Sequence, residues 1–123
     1  MHLIVLGGGG AMGRITVRTL AEDARVSRIT VADVNLAAAE HSISWLEQGH
    51  DKAHAVACDV RDERATTEML HGAAAILNAT DYPYNLHVMR AALAARVSYA
   101  DLGGLFHMTR RQYELDAAFK EAG

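Results

Sequence analysis

Gly8, Gly10 and Gly13 stand in the order G-x-G-x-x-G within HLIVLGGGGAMG, residues 2–13. That spacing is the signature of a loop that receives a dinucleotide pyrophosphate. Gly8 is expected to make the tight turn from strand to helix, and Gly10 to let the backbone approach the phosphates with no Cβ in the way. Gly13 should let the helix pack closely on the strand. Ala11, Met12 and Gly13 open that helix, where unpaired N–H groups and the positive end of the macrodipole favour an anion. Asp33 follows Gly13 by 20 residues, the offset at which a carboxylate meets the hydroxyls of an adenosine ribose. Its charge would repel a 2′-phosphate, and neither residue 34 nor residue 35 is Arg or Lys, so the expected cofactor is NAD rather than NADP.

Other polar residues stand where strands should end. Asp59 and Val60 are placed for the adenine edge, with Asp59 as the cap of the next helix the competing reading. Asn78, Ala79 and Thr80 are placed for the nicotinamide-side ribose, next to a turn at Asp81-Tyr82-Pro83. Asp101, Gly103 and Gly104 fall nearest the point where nicotinamide and substrate would meet, and a plain strand-ending turn is the alternative there. Arg14 is expected to face the pyrophosphate or solvent. His50, His54 and Cys58 are four apart, but 53–58 reads as a strand, in which four residues span about 13 Å. They cannot converge on one metal ion, so no metal site is expected. His87 and His107 read as ordinary surface or half-buried residues.

The elements that must position these groups alternate along the chain. An apolar run, Leu3 to Leu6, leads into the glycines, and Val17, Leu20, Ala21 and Ala24 then recur at helical spacing. A strand over about 28–33 precedes an Ala-rich helix that Asn35 can cap, with Trp45 as a packing residue. Strands at 53–58 and 73–80 flank a helix over about 61–71. A helix after Pro83 follows, with Leu86, Met89 and Leu93 as its buried stripe. SYADLGG is a short fifth strand with its turn, and LFHMTRRQYELDAAFKEAG a last helix. Such alternation implies an α/β fold of Rossmann type, a doubly wound parallel sheet in the order 3-2-1-4-5 with the ligand at the switch between strands one and four.

The 123 residues are read as one domain, half of them hydrophobic. A net charge of −3 gives no attraction to nucleic acid or anionic lipid. The single cysteine, Cys58, suits a reducing compartment. With no apolar run near the length of a membrane span, a cytoplasmic location is expected.

GGGGAMGRITVRTLAED, VADVN, ACDVRD, ILNATDYPYNLHVMRAALAARVSYADLGG and RRQYELDAAFKEAG together resemble the N-terminal domain of saccharopine dehydrogenase-like proteins. YADLGG and the final charged helix ending in KEAG are most similar to the lysine 6-dehydrogenase branch. The resemblance covers essentially the whole chain. It implies an NAD-dependent enzyme acting on a C–N bond of a small amino acid, of which residues 1–123 are the dinucleotide-binding domain. The substrate-binding domain would lie beyond this chain, which should therefore bind cofactor without turnover, and apolar surface left uncovered could support a homo-oligomer. A stand-alone NAD-responsive regulatory domain is the alternative. A short-chain dehydrogenase is excluded: it needs Lys four residues after a Tyr, and Tyr82, Tyr84, Tyr99 and Tyr113 are followed there by Leu86, Val88, Gly103 and Ala117.

Overall fold

The computed structural model describes residues 1–123. Five strands, β1 (His2–Leu6), β2 (Arg28–Asp33), β3 (Ala53–Ala57), β4 (Ala75–Asn78) and β5 (Ser98–Asp101), form one sheet. All pairings are parallel and the order is β3-β2-β1-β4-β5. Helices α1 (Ala11–Glu22), α2 (Leu36–Ser44), α3 (Glu63–Leu70), α4 (Asn85–Ala95), α5 (Phe106–Tyr113) and α6 (Asp116–Ala122) complete the chain. Parallel neighbours require crossovers, and the right-handed twist of strands and helices makes those crossovers right-handed. Reversing direction after β3 puts β4 on the other side of β1.

The side chains of β1 divide the core in two. Ile4 and Leu6 pack with Leu70, Ile76 and Val88, while Val5 packs with Val17, Ile29, Val31 and Ala39. Alternate residues of a strand face opposite sides of a sheet, so a strand covered on both faces must be apolar throughout. Burying each such side chain contributes roughly 1.5–3 kcal/mol. Asn35 and Asp62 cap α2 and α3 through N–H groups three residues on, Ala38 and Ala65. Asp59 is therefore not the cap of α3.

Three local expectations are corrected. The fourth strand is Ala75–Asn78, shorter at both ends than 73–80. The last helix divides into α5 and α6, where Glu114 and Leu115 donate to carbonyls three residues back. That tightening turns Leu115 and Phe119 toward a small cluster of Leu86, Met89 and Met108. Trp45 is not a core residue: it is 64% exposed, with the Arg14 guanidinium 5.3 Å above its ring. Arg14 is thereby held against Trp45. No helix is long and apolar enough to cross a membrane.

Candidate dinucleotide-binding site

The glycine loop joins β1 to α1 at the C-terminal edge of the sheet. Its one left-handed residue is Gly7, at φ +71°, so the tight turn belongs to Gly7 and not to Gly8. Gly8 is instead a contact residue: a Cβ there would sit 2.4 Å from Val31 Cγ1. At Gly13 a Cβ would lie 2.1 Å from the Gly7 carbonyl oxygen, so α1 rests directly on the loop backbone. Gly10 is the N-cap residue of α1 and supplies no side-chain bond. Its N–H donates to Gly7 O, and Arg14 N–H to Gly10 O, while the N–H groups of Ala11, Met12 and Gly13 have no acceptor in the fold. Three free donors on a positive helix end, approached across a residue without a side chain, fit a pyrophosphate.

Beside this loop a cavity of about 380 Å³ brings together Gly10, Asp33, Asp59, Val60, Ala79 and Thr80 of the expected residues. Gly8, Gly13 and Asn78 are buried, Ala11 and Met12 are exposed on α1, and none of these five lines the cavity. Asp101, Gly103 and Gly104 are not among its lining residues. Asp101 and Gly103 border a separate cavity of about 620 Å³ between β5, α4, α5 and α6, which holds no residue of the glycine loop. Gly104 sits against Tyr82 and Asn85. Gly103, at φ +89°, donates its N–H to Asp101, so this segment does form the strand-ending turn.

Asp33 ends β2 with both carboxylate oxygens engaged. Oδ2 accepts from the Gly9 N–H at 2.9 Å and Oδ1 from the Asn35 N–H at 2.9 Å. Asp59, two residues beyond β3, is in a two-pronged pair with Arg61, at 2.9 Å from Nε and 2.6 Å from Nη2. The Arg61 guanidinium, and then the Arg61 N–H, hold the Asp59 carboxyl down at about 2. Burial raises the Cys58 thiol above its ordinary range, against a smaller opposing bond with Thr66. Arg61 and Tyr84 line the cavity and were missed in the sequence. The available signal was a cation two residues beyond Asp59. Gly7 was missed because four consecutive glycines do not reveal which of them carries the positive φ.

On the β4–β5 side, Asn78 is 1% exposed and uses its whole amide. Oδ1 accepts from the Thr80 N–H and hydroxyl, and Nδ2 donates to Asn85 Oδ1 and Tyr99 Oη. Asp101 Oδ2 accepts from Tyr99 Oη at 2.7 Å, Asn85 Nδ2 at 3.1 Å and Gln112 Nε2. Burial, first, pushes the Tyr99 hydroxyl far above the usual phenol range.

Comparison with known proteins follows the same lines. The chain superposes on saccharopine dehydrogenase (L-Glu forming) from Saccharomyces cerevisiae at a TM-score of 0.79 and 22% identity, covering 99% of this chain and 25% of that one. The chain thus spans a quarter of the yeast enzyme's length. A Rossmann-fold NAD(P)-binding family protein from Shigella flexneri gives a TM-score of 0.72 at 16% identity, covering 96% and 62%. An NADPH-dependent quinone oxidoreductase from Escherichia coli, complexed with NADPH, gives 0.69 at 22% identity, covering 98% and 45%. These likenesses establish the fold. The family model described as "Saccharopine dehydrogenase NADP binding domain" matches residues 3–123. That match overturns the expectation of NAD and points to NADP. The NAD reading rested on the Asp33 charge and on the lack of a cation at residues 34 and 35, whereas the fold brings a cation from further along the chain, Arg61, into the same cavity as Asp33. With the match running over all but the first two residues, the chain belongs to the saccharopine dehydrogenase NADP-binding domain family.

Proposed function

We propose that this chain is the NADP-binding part of an amino-acid dehydrogenase acting on a C–N bond, and that alone it binds cofactor without turnover. The observation that carries the reading is the open N-terminus of α1, where Ala11, Met12 and Gly13 present three unpaired N–H groups behind Gly10. These would hold the pyrophosphate. Val60 and Asp59 would border the adenine, and Ala79 and Thr80 the nicotinamide-side ribose. Bound there, the dinucleotide supplies a hydride donor or acceptor. The chain's own residues orient it and cover one side of it.

Arg61 is the single Lys or Arg lining the cavity. Its Nε and Nη2 are on Asp59, which leaves Nη1 as a charged donor for a 2′-phosphate. A charge-assisted bond of this kind is worth about 1.5–3 kcal/mol, or roughly a 10- to 100-fold preference for NADPH over NADH. Calorimetric titration with both nucleotides at one salt concentration tests it. The paired variant Asp59→Asn/Arg61→Ala, which leaves no orphaned carboxylate, should bring the two affinities together. Tighter binding of NADH, or no binding of either, overturns the reading. Saturable turnover of lysine or saccharopine by this chain overturns the claim that it is inactive alone.

A further inference from the structure

Asp101 stands at the centre of a polar network that joins four elements beneath the β4–α4 loop. Its carboxylate receives Tyr99 Oη and Gly103 N–H, each at 2.7 Å, Asn85 Nδ2 at 3.1 Å, and Gln112 Nε2 from α5. A carboxylate is an acceptor only, and that fact sets the polarity of everything attached to it. With the Asn85 amide nitrogen turned to Asp101, Asn85 Oδ1 faces the other way and accepts from Asn78 Nδ2 at 3.0 Å. With the Tyr99 proton given to Asp101, the Tyr99 oxygen accepts from the same Asn78 nitrogen at 3.3 Å. Both neighbours demand a donor from Asn78, so its oxygen must face Thr80, whose N–H and hydroxyl lie at 3.2 and 2.7 Å. Each link leaves one orientation for the next. No buried side-chain nitrogen or oxygen lacks a partner, so the network holds a single arrangement.

What it holds is Thr80, by N–H and hydroxyl, and so the backbone that runs from Asn78 through Ala79, whose own N–H donates to Leu6 O. Gly7 meets that backbone so closely that a Cβ on Gly7 would fall 2.8 Å from the Ala79 carbonyl and 2.9 Å from Thr80 N. The same two residues line the cavity beside the glycine loop. We propose that Asp101 is a positioning residue for the nicotinamide half of the bound dinucleotide, acting through Asn85, Tyr99 and Asn78 on the Ala79–Thr80 backbone rather than by touching substrate. This inference rests on the dinucleotide reading above. It accounts for a carboxylate at the strand end whose oxygens are already occupied by four donors, one of them delivered by α5. It also explains why polar residues fill a place that apolar ones would fill at lower desolvation cost: hydrogen-bond direction, unlike apolar packing, specifies orientation.

The two halves of the dinucleotide lie on opposite sides of the switch point between β1 and β4, so the proposal predicts a split in affinity. Asp101→Asn introduces an NH₂ among groups that all donate, which forces part of the network to reverse or break. NADPH should bind roughly tenfold more weakly to this variant. Adenosine 2′,5′-bisphosphate, which lacks the nicotinamide half, should bind as to the unaltered chain. Tyr99→Phe keeps the ring and removes one relay, and it carries the test should Asp101→Asn fail to fold. It should weaken NADPH by about threefold with the same sparing of the bisphosphate. Equal loss of both ligands, or loss of neither, overturns the positioning role. Failure of the unaltered chain to bind either ligand is a different result, and it removes the dinucleotide reading together with the inference.

Discussion

Alanine placed at Gly13 and at Gly10 should separate packing from binding. Gly13 lies in the third position of α1, where alanine would ordinarily gain up to about 1 kcal/mol over glycine. Here the added Cβ falls 2.1 Å from Gly7 O and 2.7 Å from Gly8 Cα, against an ordinary contact of at least 3.4 Å. Both obstructing atoms are backbone, so relief requires moving the helix or the loop by more than 1 Å. Overpacking costs about 1–3 kcal/mol and belongs at its upper end when backbone must yield. The net destabilisation of Gly13→Ala is then about 2 kcal/mol, a fall of roughly 5–10 °C in Tm. Gly10 has φ −74° and ψ 170°, a conformation open to any residue. The nearest atom to its added Cβ is Gly7 O at 3.3 Å, which needs to give by only a tenth or so. Gly10→Ala should therefore stay within about 1 kcal/mol of the unaltered chain, since the lost cap preference and the reduced entropy of the unfolded state oppose each other. Its methyl group instead stands where the pyrophosphate must approach, and a clash of about 1–3 kcal/mol there weakens NADPH roughly 5- to 100-fold. Urea denaturation at constant m reads the first effect and calorimetric titration the second. A Gly13→Ala chain as stable as its parent would refute the packing argument, and a Gly10→Ala chain with unchanged affinity would refute the phosphate cradle.

Three further outcomes are expected. Burial, first, pushes the Tyr99 hydroxyl upward. In an ultraviolet difference titration the Tyr99 phenolate should form only on unfolding, a step that Tyr99→Phe removes. Because the folded chain keeps that proton after the unfolded chain has lost it, the stabilisation is complete below about pH 10 and declines as pH rises above it. A titration of the folded chain that Tyr99→Phe leaves smaller by one phenol would contradict this. Cys58 lines the cavity beside the glycine loop, and burial raises its thiol, so alkylation should be slower than for a free thiol and slower again with NADPH present. A rate indifferent to NADPH would place the nucleotide elsewhere. Ile76 is 2% exposed at the centre of one core cluster, and Ile76→Ala should cost about 2–5 kcal/mol by urea denaturation. A cost under 1 kcal/mol would mean that this face of the sheet can collapse around the missing atoms.

The order of the sheet could be read in advance because it follows from alternation and handedness, both of which are local. Apolar runs at Leu3–Leu6 and Ile29–Ala32 and helical stripes such as Val17, Leu20 and Ala21 announce the elements, and right-handed crossovers leave few ways to join them. The glycine loop was legible for the same reason: its spacing is contained within one turn and one helix end. The division of the last helix at Glu114 and Leu115 was not legible, because it is imposed by Leu86, Met89 and Met108 on other elements. Nor was the contact of Trp45 with Arg14, which depends on how the end of α2 comes to lie beside the start of α1.

The sequence by itself determined which residues would gather at the C-terminal edge of the sheet, since strand ends in a parallel fold must meet there. Tertiary structure decided what each of them does. Asp33 turns to Gly9 and Asn35, Asp59 is joined by Arg61, and Asp101 collects donors from β5, α4 and α5 and from the turn after β5. A carboxylate in a sequence is a charge with several free acceptor sites. Which donors occupy those sites depends on groups up to 24 residues away for Asp33 and 16 for Asp101, and only the folded chain brings them within hydrogen-bonding distance.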